Sequence, residues 1–346
     1  MTAQAASWWQ RRFDGPLASV LGVAGGYFLT HSGTSDAALD ADLDRIAAFG
    51  CRWVRADFAW SQVQAGGSGS YDWSLCDRLA TKARDRNLAV IGVIAYTPSW
   101  ARVPPGSDDK HLPVSAAAFG AFAGECAKRY GARSSTASTR GTVRVWEIWN
   151  EPNHGPFAKP TPDPVKHFDM LRESYTAIKR EDPGAYVVTG GTAPAPQTPP
   201  SSYSPVGWYF ALHTIGRWTD HVDGVGHHPY AYPFHHTQES SWNAMQQTRS
   251  INALVRAQGA RKPIWATEIG WRTENTPTGV TEEEQAVRLR EYTTWWFRSL
   301  RALAGPLIVF QHRDIDTGNY GLLRADGSAK PARQVFVDLC ARGITP

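Results

Sequence analysis

Long apolar runs, clustered charge and cysteine are all scarce in this sequence, and each shortage removes a class of protein. No run of 18 or more apolar residues occurs, and residues 1–15 carry Arg11, Arg12 and Asp14 where a signal peptide would have its apolar centre. Neither a membrane span nor an intact signal peptide is therefore expected. Charged residues make up 20% of the chain and leave a net charge of +4, with no block of five or more Lys and Arg. So diffuse a charge argues against nucleic acid or an anionic membrane as partner and leaves neutral ligands as the better expectation. Four cysteines in 346 residues, Cys51, Cys76, Cys126 and Cys340, fall far below the density of a disulfide scaffold, and none has a metal-like spacing. They read as buried thiols, with one disulfide left open. The compartment stays open too, between the cytoplasm and a secreted chain whose signal peptide has been removed.

What the chain does have is length, apolar content and tryptophan. With 346 residues and 42% hydrophobic composition, it can bury a large core, either two average domains or one eightfold barrel. Short β-rich runs at 17–25, 51–60, 88–97, 143–150, 186–191, 222–228, 264–269 and 307–312 alternate with helical stretches, clearest at 36–49, 115–130 and 281–303. Ser35 before Asp36, and Thr281 with Glu284 three residues on, mark helix starts. Eight such units without a composition break predict an α/β fold, a single (β/α)8 TIM barrel over residues 1–346 with 1–16 as an N-terminal extension. The loop at 131–141 follows a helix and is expected as a connector on the bottom face. The one at 193–207 follows a strand, and is either a wall of a top-face cleft or a surface excursion stiffened by proline. Fifteen tryptophans exceed ordinary core needs. Trp60, Trp149 and Trp271 end apolar strands, where sugar-binding clefts use flat aromatic faces, although Trp60, Trp100 and Trp146 are given to the core rather than to a ligand.

Active sites of such barrels sit at the C-terminal ends of the strands, so acidic residues placed there carry the most weight. The fourth run, VRVWEIWNEPN, ends at Asn150-Glu151, and the seventh, PIWATEIGW, ends at Glu268. A carboxylate in such apolar surroundings is costly to desolvate unless paired or protonated, which makes chemistry the better explanation for two of them. Glu147, on the same strand as Glu151, is expected to be a buried partner of Arg55 or Arg144, about 13 Å below the rim at the rise of an extended strand. His227, His228, His235 and His236 fall within ten residues, yet the remaining spacing of barrel metal hydrolases is missing. His228 is therefore expected to hydrogen-bond, His235 and His236 to face solvent, and no metal is expected.

Trp149-Asn150-Glu151-Pro152 and Thr267-Glu268-Ile269-Gly270 resemble the acid/base and nucleophile motifs of the clan A retaining (β/α)8 glycosidases. WVRADFAW at 53–60, YDW at 71–73 and AYTPSW at 95–100 are similar to families 5 and 39 of that clan, including bacterial endoglycosidases acting on exopolysaccharide, and the likeness runs over nearly the whole chain. The resemblance implies Glu151 as acid/base, Glu268 as nucleophile, Asn150 on the hydroxyl next to the reacting carbon and Arg55 beneath the nucleophile. Gly226-His227-His228-Pro229-Tyr230 is similar to the clan's His and Tyr pair beside that nucleophile. Tyr96 and Trp271, which directly follow strands, join the substrate-binding set. So does Gln311, in Phe310-Gln311-His312, which stands where the clan often has a Trp floor. The reaction this implies is a double displacement on an oligosaccharide or polysaccharide, without metal or organic cofactor. The substrate expected is an uncharged β-linked glycan, with weak action on plain β-glucan and room for a furanoside. Transglycosylation and a non-catalytic carbohydrate-binding barrel are the alternatives.

Overall fold

The computed structural model describes residues 15–231, 234–240, 243–315 and 318–344, so most of the expected N-terminal extension lies outside the described residues. Its strands are β1 (Leu21–Gly26), β2 (Trp53–Ala59), β3 (Ala89–Ala95), β4 (Val143–Ile148), β5 (Tyr186–Thr189), β6 (Val225–His227), β7 (Ile264–Ile269) and β8 (Ala304–Phe310). They form one parallel sheet in the order β5-β4-β3-β2-β1-β8-β7-β6. Parallel bridges Val188–Gly224 and Thr192–His227 join its two edges, so the sheet closes into the predicted (β/α)8 TIM barrel. The helices are α1 (Asp36–Ala47), α2 (Trp60–Val63), α3 (Ser74–Asp85), α4 (Ala116–Tyr130), α5 (Pro164–Glu181), α6 (Pro205–Ile215), α7 (Thr248–Ala257), α8 (Glu282–Ser299) and α9 (Pro331–Arg342).

Local chemistry sets these boundaries. Strands covered on both faces read as near-continuous apolar runs, and β2 and β3 are buried at every position. Ser35, Ser115, Asp163, Ser204 and Thr281 each accept a first-turn backbone N–H, capping α1, α4, α5, α6 and α8. Pro164, Pro205 and Pro331 occupy first-turn positions, where the missing N–H costs nothing. The strand expected to run to Trp60 stops at Ala59, because Trp60 opens the single turn of α2. The 131–141 segment joins α4 to β4 at the bottom, as expected, whereas the 193–207 segment ends in the cap and first turn of α6.

The tryptophan surplus goes to the core. Trp149 and Trp271, which end strands, are buried, as is Trp60, given to the core; Trp53 and Trp265 are buried inside the barrel, and Trp146 and Trp296 against the helices. Trp53 meets Trp265 edge-on at 6.4 Å, and Phe58 meets Trp146 at 5.3 Å. Trp100, assigned to the core, is instead 40% exposed, with its edge on Trp60. All four cysteines are buried free thiols, so the disulfide left open by the count is not formed, and burial raises Cys51 to about 12. Among the described residues no helix is long and apolar enough to cross a membrane.

Candidate active site

The site is built from below. Alternation along β2 points Arg55, Asp57 and Ala59 at one cleft. Arg55 is fully enclosed and spends its guanidinium on three partners. Its Nε donates to Glu147 Oε2 at 2.6 Å, Nη2 to Glu147 Oε1 at 3.1 Å and Asn150 Oδ1 at 2.9 Å, and Nη1 to Glu268 Oε1 at 2.6 Å. Glu147 also accepts from the Gly191 N–H at 2.8 Å and from Thr267 Oγ1 at 3.1 Å. Its partner is thus Arg55 and not Arg144, whose position on β4 is exposed. Gly191 is obligatory here, since a Cβ would collide with His228 Nε2 and Thr267 Oγ1.

Glu147 and Glu151 lie closer than a straight strand allows. β4 ends at Ile148, and the chain turns through positive φ at Trp149 (71°) and Glu151 (48°). Strained backbone of this kind is held by its surroundings and re-aims side chains at functional rims. As a result one imidazole touches both carboxylates: His228 Nε2 is 4.0 Å from Glu147 and Nδ1 is 3.0 Å from Glu151. Glu268, at the rim of β7, accepts the Tyr230 hydroxyl at 3.0 Å on Oε2, and His228 Nδ1 lies 3.7 Å from that oxygen. One oxygen of Glu151, one of Glu268 and one nitrogen of His228 lie within 4.8 Å of one another.

Electrostatics separates these groups. Burial pushes the Glu268 carboxyl up, but the charges of His228 and Arg55 and the hydrogen bonds from Tyr230 and Arg55 outweigh it and hold the carboxyl below its ordinary value. Burial pulls His228 down, and here the Glu268 charge and the Glu151 hydrogen bond win, raising it. His227 has no such partner and falls to about 3 through burial, its ring bonded to Thr192 and the Ala244 carbonyl at 2.9 Å each. The expectation that His235 and His236 face solvent is only half right. His236 is buried, and the His235 ring lies tilted against it, centroids 4.1 Å apart, and bonds Glu291 at 2.8 Å.

Above this network opens a cleft of about 810 Å³. Of the residues expected at the site, Arg55, Tyr96, Asn150, Glu151, Tyr230 and Glu268 line it. His228 does not; it reaches Glu151 and Glu268 from behind. Trp271 and Gln311 are corrections. Trp271 is buried against Tyr292 at 5.7 Å, and Gln311 is buried as well. At these two strand ends it is Glu268 and Phe310 that line the cleft. Phe310 itself lines the cleft and meets Tyr320 at 5.4 Å, so an aromatic face is retained where the sequence suggested that one was lost.

Several cleft residues carry little or no signal in the sequence. Asp57 is accessible to parity alone, two residues after Arg55. Asp109, Lys110, Phe157, Arg272 and Tyr320 come from loops, where no periodic signal exists. Lys110 Nζ sits 5.5 Å over the Tyr96 ring, while Arg272 lies 5.4 Å over Tyr320 and bonds its hydroxyl at 3.2 Å. Pro194 gives the cleft one wall contact from the 193–207 segment, whose middle, 197–201, is exposed.

These features define a (β/α)8 barrel with two glutamates facing each other at the C-terminal rim, over a buried arginine. Solved structures similar to it are glycoside hydrolases. A family 39 glycoside hydrolase from the gut symbiont Bacteroides cellulosilyticus has a TM-score of 0.70 and 22% identity, over 95% of this chain and 64% of that one. A monomeric β-xylosidase from Caulobacter crescentus has 0.68 and 19%, over 96% and 71%. A family 5, subfamily 18 enzyme from Streptomyces cattleya, in complex with GlcNAc, has 0.60 and 18%, over 93% and 80%. The chain thus spans 64% of the length of the Bacteroides protein. No protein-family model and no curated protein matches the chain.

Proposed function

We propose that this protein is a retaining glycoside hydrolase acting on a neutral β-linked glycan. The observation that carries the reading is the pair Glu151 and Glu268, on β4 and β7, with oxygens within 4.8 Å across one cleft. That closeness suits the retaining arrangement, with carboxyls about 5–5.5 Å apart, better than the about 6.5–9.5 Å of inverting enzymes. Glu268, kept ionised by Arg55 and Tyr230, attacks the anomeric carbon, while Glu151 gives its proton to the leaving oxygen. The glycosidic bond breaks as the ester to Glu268 forms. Water then attacks the same carbon, Glu151 takes its proton, and the ester opens with net retention. His228 orients Glu151. Asn150 accepts from Arg55 at Oδ1, which leaves Nδ2 to donate to the neighbouring sugar hydroxyl.

A neutral substrate fits the charges of the cleft. Lys110 and Arg272 line it, but Lys110 lies between aromatic faces near Asp108 and Arg272 is held by Tyr320 and Glu274. Asp57 and Asp109 add negative charge. Plain β-glucan is less disfavoured than the sequence suggested, because Phe310 supplies an aromatic face. The test is a panel of aryl β-glycosides and neutral polysaccharides, with the first-formed anomer followed by proton NMR. The β-anomer should appear first; the α-anomer first, or binding without cleavage, would overturn the reading. Acceptor-dependent products in place of free sugar would make the protein a transglycosylase.

A further inference from the structure

Seven acidic or basic side chains line the cleft, and six of them are occupied. Arg55 holds Glu147, Glu268 and Asn150; Glu268 accepts from Arg55 and Tyr230; Glu151 meets His228. Asp109 accepts the Ser61 hydroxyl at 2.9 Å, Lys110 sits over Tyr96 and Phe157, and Arg272 is bonded to Tyr320. Asp57 is the exception. It is only 7% exposed, and burial and unbonded neighbouring charges alone act on its carboxyl, which no described group hydrogen-bonds. Arg55, one pleat below, has no arm to spare.

A nearly buried carboxylate without donors is costly, and in an open cleft water supplies them. A ligand that displaces this water must bring donors of its own, or the carboxylate is left unpaired. A second carboxyl close by, that of Asp109, repels anions from the same wall. Sugar hydroxyls meet both conditions.

We infer that Asp57 is the specificity-determining acceptor for the sugar that Glu268 attacks, taking hydrogen bonds from unsubstituted ring hydroxyls on the β2 side of the cleft. It thereby selects a glycone with no carboxylate, sulfate or acyl group on that edge. The inference takes its subsite from the hydrolase reading above.

The experiment compares wild type, Asp57→Asn and Asp57→Ala on aryl glycosides of the sugar that wild type cleaves and on their monodeoxy derivatives. Asp57→Ala should lower kcat/KM on the parent by about 10- to 100-fold, with Asp57→Asn losing less because an acceptor oxygen remains. At least one monodeoxy glycoside should cost wild type a similar factor and cost Asp57→Ala nothing more, since the bond is already gone. A structural role would instead give losses that multiply on every substrate. That pattern, or an Asp57→Ala protein within about threefold of wild type on the parent, overturns the inference. Calorimetric binding of oligosaccharides to Glu268→Ala protein, with and without Asp57→Asn, repeats the comparison without turnover. Asp57-dependent binding with no wild-type hydrolysis would remove the hydrolase reading and keep this one. Hydrolysis indifferent to Asp57 would do the reverse.

Discussion

Two carboxylates two strands apart show how the floor of this cleft differs from its wall. Glu147, on β4, is fully buried and takes four donors: two from Arg55, one from the Gly191 backbone and one from Thr267. Asp57, on β2, is almost as deeply placed and takes none from the described residues. A buried carboxylate whose acceptors are all filled belongs to the fold, because it has nothing left to offer a ligand. One whose acceptors are open, at a wall that a ligand reaches, carries a cost in the empty protein that binding can return.

The difference can be broken most directly at the rim. Glu268→Ala should lose on the order of 10⁴-fold or more in kcat on every substrate while unfolding like wild type. Glu151→Ala should lose about 10²- to 10⁴-fold on natural glycans and far less on dinitrophenyl glycosides, whose leaving group departs without a proton. Equal loss on both substrates would reverse the assigned roles.

The floor should fail by stability instead. Arg55→Ala leaves Glu147 buried without its cation and should cost about 3–5 kcal/mol in urea unfolding. An Arg55→Ala protein as stable as wild type would mean that floor and wall do not differ as described.

The wall should show the opposite sign. Asp57 is raised from 3.8 to about 6, by burial first and then by the charges of Glu268, Glu147 and Asp109 against the pull of Arg55. A carboxyl raised on folding favours the native state below its ordinary value, and that advantage is lost as pH rises through its folded value. Asp57→Asn should therefore change stability little near pH 4 and raise it by up to about 3 kcal/mol above pH 7, as thermal unfolding across that range would show. Stability rising with loss of function marks a group kept for binding.

The smallest effect separates neighbours at the end of β8. Phe310→Ala should raise KM up to about tenfold through lost aromatic contact, whereas Gln311→Ala should leave KM unchanged. A KM that follows Gln311 and not Phe310 would undo this assignment of the strand end.

Motifs explain which site residues were legible. Glu151, Glu268, Asn150 and Arg55 stand on or directly after strands, in motifs that announce themselves, and all four line the cleft. Trp271 and Gln311 also follow strand ends, but both are buried away from the cleft, Trp271 against Tyr292 of α8. Asp57 stands two residues after Arg55 on β2, with no motif to mark it. The abundance of tryptophan suggested a sugar platform, yet most of the large rings are buried inside the barrel or against the helices, and the cleft is faced by Tyr96, Phe157, Tyr230, Phe310 and Tyr320.

By itself the sequence determined the eight strand-and-helix units, the caps that start the helices and the acidic residues at the ends of β4 and β7. These are local properties, written in periods of two and of three to four residues and in the chemistry of single caps. Only the tertiary structure decided that Arg55 ties Glu147, Asn150 and Glu268 together, that His228 stands behind both rim glutamates, and that Asp57 is left open. Those facts depend on barrel closure, which brings β2, β4, β6 and β7 within hydrogen-bonding reach, and on the positive-φ turns at Trp149 and Glu151. Both are set by packing between residues far apart in the chain, which no local pattern records.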